Sequence, residues 1–274
     1  MTPPPKLIDC LGQTLILAYR ESTERLETTL TQAGCDCKVL RQVHQPGYDT
    51  YSRSYLCLLN HQQAWQFAVR SERPTLIVEA DFVPVFNLGE LPPPFDPNAA
   101  DLGIAWLYTC ASQVYSLTET GYALGYSTAM VAYIISAAGA QLLLQLAAEV
   151  AENPGPTAYT PWDSGIEYYL RDRGLSNYVP FRNYGEHGGI PNPEHRQNRL
   201  SQTHRADILY GRLAFTPIYA HATSTGLRVR VRARLKGIAR LLLGKYLRLP
   251  VLFSSDRPLP LLRFALARHF TRQI

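Results

Sequence analysis

The sequence predicts an α/β fold, and three observations carry that prediction. Apolar runs without alternation, the mark of strands buried on both faces, recur at 14–19, 75–78 and 130–135. Segments with helical spacing of apolar residues lie at 22–33, 54–70 and 139–148. The order strand, helix, strand, helix, strand then calls for parallel βαβ units rather than hairpins.

Thr14 to Tyr19 reads as the first buried strand. Ser22 is the expected cap of a helix with Leu26, Leu30 and Ala33 on one face, and Gly34 ends it. A second strand is expected over 37–43. The helix over 54–70 puts Leu58, His61, Trp65 and Ala68 on one face. Pro74 closes the turn into a third strand, which runs out in Glu79-Ala80-Asp81. After Pro92-Pro93-Pro94 the pattern loosens. Strands are expected at 104–108 and 130–135, Ser136 caps the helix after the latter, and another helix is expected over 162–173. The polar stretch 184–203 reads as a long loop. No internal repeat occurs, and the expected division is 1–222 as the α/β body and 223–274 as a basic amphipathic tail.

At 274 residues and 30.8 kDa the chain can bury a full core without a metal or disulfide staple. A hydrophobic share of 46% excludes a disordered chain, and a charged share of only 18% points to work near something apolar. The net charge of +5 is unevenly spread. Residues 225–274 hold 12 Lys/Arg against Asp256 alone, a net +11, which leaves 1–224 at −6. The basic character therefore belongs to the tail, not to a nucleic-acid-binding core, and no base-stacking module accompanies it.

Five cysteines without zinc-finger spacing read as reduced thiols of a cytosolic protein. Thr2-Pro3-Pro4-Pro5 lacks the basic-then-apolar pattern of a secretion signal. Residues 122–150 contain no charge before Glu149 and could pass for a membrane span. Gly139 and several polar residues inside the stretch favour a strand followed by a helix instead.

Glu79 and Asp81 are the most informative pair. Two carboxylates at the carboxyl end of a buried parallel strand stand where open α/β sheets bind ligands. Hard oxygen donors there suit Mg²⁺ or Mn²⁺ bridging to nucleotide phosphates, and a merely solvated strand end is the other reading.

The segment Cys57-Leu58-Leu59-Asn60-His61, with Trp65 one turn on and the strand ending Glu79-Ala80-Asp81, resembles glycosyltransferase family 25 of the lipopolysaccharide-biosynthesis type. That family carries a Cys-x-Leu-Ser-His-x-x-x-Trp helix and a strand ending Leu-Glu-Asp-Asp; here Asn60 replaces the Ser and Ala80 the middle acid. Ala18 to Arg25 is similar to the family's opening strand and turn, with Tyr19-Arg20 in place of Leu-Asp. Ala132-Tyr133-Ile134-Ile135-Ser136 with Gly139-Ala140 resembles its Gly-Tyr-x-Ile-Ser-x-x-Gly-Ala segment, and Pro161-Trp162-Asp163 its Pro-x-Asp helix opening. The resemblance covers about residues 13–195.

The resemblance implies a GT-A type fold, with a Rossmann-like half for a nucleotide sugar and a second half for the acceptor. It implies transfer of a hexose from a UDP-sugar to a saccharide or lipid-linked saccharide of the cell surface. Tyr19, Arg20, Arg25, His61 and Glu79 are then expected at the donor, and Glu79, Asp81 and His187 at a Mn²⁺ or Mg²⁺ ion. Asp163 is read either as general base or as a helix N-cap, and His61 either as a site residue or as packing beside Trp65. His187 and His195 are alternative late metal ligands, or plain loop residues. A non-catalytic saccharide binder and a basic membrane-surface protein remain open as other functions.

In the tail, Arg228, Arg230, Arg232 and Arg234 alternate with apolar residues before a basic stretch carrying Leu241-Leu242-Leu243. Such a segment is expected to lie on an anionic membrane surface, at the inner face of the cytoplasmic membrane, or to pack on the body as a solvated basic helix.

Overall fold

Because side chains alternate across a strand, a continuous apolar run must feed two cores at once. The computed structural model, which describes residues 4–189, 205–220 and 223–271, shows that division. Leu15, Leu17, Ile77, Trp106 and Tyr133 enter one apolar cluster, and Ile16, Leu76, Val78, Ala105 and Ile134 enter the other, on the opposite face of one sheet.

The strands are β1 (Gln13–Ala18), β2 (Cys37–Arg41), β3 (Thr75–Glu79), β4 (Phe82–Pro84), β5 (Leu102–Trp106), β6 (Gln113–Leu117), β7 (Ala123–Tyr126), β8 (Ala132–Ile135), β9 (Ser176–Val179) and β10 (Gly185–His187). Eight of them form a sheet in the order β2-β1-β3-β8-β5-β9-β7-β6. β1 pairs in parallel with β2 and β3, and β5 with β9, whereas β8 and β7 run against their neighbours. The fold is thus α/β with a mostly parallel, mixed sheet.

The helices of the body are α1 (Glu24–Gln32), α2 (Arg53–Ala68), α3 (Ala137–Glu152) and α4 (Ile166–Arg171). Ser136 caps α3 as expected, its hydroxyl accepting from the Gly139 N–H at 3.0 Å. Gly139 is needed there, since a Cβ would come within 2.5 Å of the Gly103 carbonyl on β5.

Several sequence expectations are corrected. Thr23, not Ser22, holds the N-cap position of α1, and its hydroxyl bonds Glu27 one turn on rather than capping the helix. Ser52 caps α2, two residues before the expected start, by accepting from the Tyr55 N–H. The expected 162–173 helix is broken into a 3-10 turn, Trp162–Gly165, and α4. The loop expected from 184 contains β10, which pairs antiparallel with β4 in a separate two-stranded sheet. The rest of that loop, 190–203, lies outside the described residues. Residues 122–150 divide into β7, β8 and α3, and no described helix is long and apolar enough to cross a membrane.

The basic segment forms α5 (Thr223–Leu242), α6 (Leu249–Ser254) and α7 (Pro258–Phe270). Its Tyr246, Leu247, Leu261 and Ala265 belong to the same cluster as Leu15 and Trp106. The Val114 N–H donates to the Tyr246 carbonyl at 2.9 Å, and Arg268, wholly buried, grips both oxygens of Asp207 at 2.6 and 2.8 Å.

Candidate active site

β3 leaves the sheet at Glu79, and hydrogen bonds to both neighbours fix the exit. The Glu79 N–H donates to the Val131 carbonyl beside β8, and the Ala80 N–H to the Leu17 carbonyl of β1, both at 2.8 Å. Two residues later the chain turns into β4, whose pairing with β10 sets His187 opposite Phe82. This brings His187 Nε2 to 2.9 Å from Asp81 Oδ2 across 106 residues of sequence. Burial works to lower the His187 pKa, but the charge and hydrogen bond of Asp81 outweigh it and raise the imidazole above its ordinary value.

On the other side of Glu79 a buried relay holds the carboxylate. The Trp65 indole N–H donates to the Tyr133 hydroxyl at 2.9 Å. His61 Nδ1 lies 2.8 Å from that hydroxyl, and His61 Nε2 lies 3.1 Å from Glu79 Oε1. A carboxylate only accepts, which assigns the Nε2–H to Glu79 and leaves Nδ1 to accept from the Tyr133 hydroxyl, itself the acceptor of the Trp65 indole N–H. Cys57 Sγ is 3.9 Å from Glu79 Oε1. Although Cys57 is exposed to the cleft, its sulfur sits deep in the site, and that burial, then the Glu79 charge, raises its thiol pKa, which favours the thiol as a donor to Glu79.

Asp163 stands on the 3-10 turn, not at a helix N-cap, which corrects the capping reading. Trp162 anchors this turn: its indole donates to the Ser54 carbonyl at 2.9 Å and its ring packs on His61. Burial pushes the Asp163 carboxyl up to about 6.

Two clefts meet at the strand end. One runs along β1, β2 and α2 past Tyr19, Gln42, His44 and Tyr48. The other is walled by Tyr108, Thr128, Met130, Trp162, Asp163 and His187. Arg53, Cys57, Glu79 and Asp81 line both.

The structure therefore brings Tyr19, His61, Glu79, Asp81, Asp163 and His187 to one cavity system. Arg20 stacks on the Tyr19 ring at 4.8 Å, beside the first cleft rather than lining it. Arg25 lies exposed on the first turn of α1, away from both clefts. His195 lies outside the described residues. Arg53, Tyr108 and Tyr133 were not singled out as site residues by sequence reasoning. The apolar run around Tyr133 signals only a buried strand, and its hydroxyl partners come from a helix some 70 residues away.

Hard donor atoms without partners among the described residues stand at the strand end. Asp81 Oδ1, His187 Nδ1 and the Tyr108 hydroxyl are buried without a partner among the described residues. Gly189 leaves room beside them, since a Cβ there would strike Asp81 Oδ2. The trio that holds one donor atom each within 4.8 Å of one another among the described residues is Cys57, His61 and Glu79, not Glu79, Asp81 and His187. The His61 imidazole of that trio is held by Tyr133 and Glu79, so without a cation the trio supports the Glu79 carboxylate. Glu79 belongs both to that trio and to the expected set of Glu79, Asp81 and His187, of which the structure pairs Asp81 with His187.

No family model and no curated protein matches the chain. Among solved structures it is similar to a glycosyltransferase involved in glycosylation of the major capsid of PBCV-1, with 14% identity over 61% of this chain and 82% of that one, at a TM-score of 0.40. It is also similar to a Drosophila galactosyltransferase 7 mutant in complex with manganese, UDP-Gal and xylobiose, with 15% identity over 68% of this chain and 74% of that one, at a TM-score of 0.37.

Proposed function

We propose that the protein is a metal-dependent glycosyltransferase of the family 25 type, built on a GT-A fold. It moves a hexose from UDP-galactose or UDP-glucose to a saccharide acceptor of cell-surface polysaccharide or lipopolysaccharide. The observation that carries this reading is the pair of clefts joined at Glu79 and Asp81, for transfer needs two substrates to meet at one charged point.

The nucleotide takes the cleft of Tyr19, Gln42 and Tyr48, and the acceptor takes the cleft of Trp162 and Asp163. Glu79, Asp81 and His187 would hold Mn²⁺ or Mg²⁺, which neutralises the diphosphate leaving group when bound. His61 and Cys57 keep the Glu79 carboxylate aimed by donating to it. Asp163 accepts the proton of the acceptor hydroxyl while that oxygen bonds to the anomeric carbon and the sugar–phosphate bond breaks. Trp162 offers the acceptor a ring edge and fixes the turn that carries the base.

Ala80, where the family has an acid, favours a second reading as a non-catalytic nucleotide-sugar binder. One experiment serves both. UDP with Mn²⁺ should raise the melting temperature of the wild type and not that of Asp81→Ala, and donor hydrolysis should be present in the wild type. Stabilisation without hydrolysis favours the binder, and an Asp81→Ala protein that binds UDP–Mn²⁺ like the wild type overturns the metal assignment.

A further inference from the structure

Five arginines of the basic segment face inward while many of its leucines face outward, the reverse of the usual partition. Arg230, Arg234, Arg240, Arg257 and Arg268 all donate to partners in the body or in the other helices of the segment, among them Glu186, Asp207 and the carbonyls of Ala111 and Thr118. On the outer side of α5, Leu227, Val231 and Leu235 follow one another at helical spacing, each at least half exposed. Beside that stripe runs a second one, Arg228, Arg232 and Lys236, also exposed.

The apolar face continues past α5. Leu242 and Leu243 are 76% and 69% exposed, whereas Leu241 packs against the core, which narrows the expected Leu241–Leu243 block to two residues. Leu249 and Phe253, at i and i+4 of α6, are 61% and 81% exposed. A groove lined by Leu242, Leu243, Leu249, Leu252, Leu262 and Leu266 joins the three helices. Lys245, Arg248 and Arg263 are exposed around it. Asp256 is the sole acid of 225–274.

We infer that the outer face of α5–α7 is a docking surface for a bilayer rich in anionic lipid. The occupant is argued from charge. Apolar side chains in one continuous face, flanked by cations with a single acid nearby, match a surface that offers hydrocarbon beneath a layer of phosphates. A second copy of the same face would instead bring cation against cation. Each basic residue near such a surface is worth about fivefold in partitioning, and the exposed leucines add a part that salt does not screen.

The test uses the full chain, because Tyr246, Leu247, Leu261 and Ala265 of this segment are core residues. Flotation with vesicles of phosphatidylglycerol and phosphatidylcholine is compared with pure phosphatidylcholine at low and high salt. Three proteins are compared: the wild type, Arg228→Glu/Arg232→Glu/Lys236→Glu, and Leu242→Ser/Leu243→Ser/Phe253→Ser. All six positions are exposed, and circular dichroism confirms folding. The wild type should float with anionic vesicles only. The charge variant should lose about a hundredfold in partitioning, and the apolar variant should lose the binding that persists in high salt. Absence of wild-type binding overturns the inference, as does equal binding by the variants. So does a dimer in light scattering that the Leu/Phe variant dissolves without any vesicle binding. No outcome depends on glycosyl transfer, so this inference and the proposed activity fail separately.

Discussion

Arg230 on α5 lies 2.6 Å from Glu186 Oε2, and Glu186 is the residue next to His187. The other oxygen of Glu186 accepts from the N–H groups of His187 and Ala206, at 3.0 and 2.9 Å. One wholly buried carboxylate thus ties the basic C-terminal segment to the strand that presents a candidate ligand.

Arg230→Met should be costly for that reason. Burial already pushes the Glu186 carboxyl up against the Arg230 charge, and removing the guanidinium takes away the largest opposing charge and leaves a buried carboxylate held by hydrogen bonds and the more distant Arg205. A loss of about 3 kcal/mol is expected in urea unfolding. Arg230→Met/Glu186→Gln should recover much of it. A single variant as stable as the wild type would show that the pair does not hold the segment to the body.

Tyr133→Phe tests the relay under Glu79. It strands the Trp65 indole N–H and His61 Nδ1 in a dry site, at a cost of about 2 kcal/mol. With His61 free to turn, Mn²⁺ affinity measured by calorimetry should fall, although Tyr133 is no ligand. Unchanged Mn²⁺ affinity would reduce the relay to a packing feature.

Asp163 should titrate at about 6 in the cation-free protein, visible by carbon NMR of its carboxyl. Its pKa is raised on folding, so the stability it contributes is present below the ordinary carboxylate value and is lost as pH rises to about 6. Donor-to-acceptor transfer should rise through the same range if Asp163 is the base. Asp163→Asn should be slower by at least a hundredfold and flat there. A pH profile identical in the two proteins would exclude it.

His269 gives the opposite pH signature. Burial and then the neighbouring Arg268 hold its pKa down to about 4. Its hydrogen bonds fit the neutral ring, with Arg268 donating to Nε2 at 3.1 Å and Nδ1 facing the Ala265 carbonyl at 2.8 Å. The stability it contributes is complete above pH 6.5 and is lost toward pH 4, with a slope near 1.4 kcal/mol per pH unit for one proton. His269→Asn should flatten that slope between pH 4.5 and 6.5 in denaturant titrations, and an unchanged slope would mean that another group titrates there.

Local pattern made much of the fold readable. Unbroken apolar runs marked β1, β3 and β8, and Ser136 and Gly34 marked helix ends, because burial on two faces and capping are properties of adjacent residues. The Glu79–Asp81 pair was legible for the same reason, a strand end and two carboxylates lying within a few positions. Where Thr23 or Ser52 took a cap position in place of the nearest Ser, the margin was one or two residues, which tertiary packing decides.

What the sequence determined by itself was the α/β order, the sheet-end carboxylates and the charge split between body and tail. Only the tertiary structure decided that β8 runs antiparallel between β3 and β5, that β10 carries His187 to Asp81, and that Trp65, Tyr133 and His61 serve one carboxylate. It also decided which arginines of the tail turn inward, since alternation along the chain cannot say which face of α5 meets Glu186. The reason is common to all four. Each depends on a pairing between segments 18 to 106 residues apart, where the partner is chosen by packing and by the need to satisfy buried polar groups, and neither has a local signature in the chain.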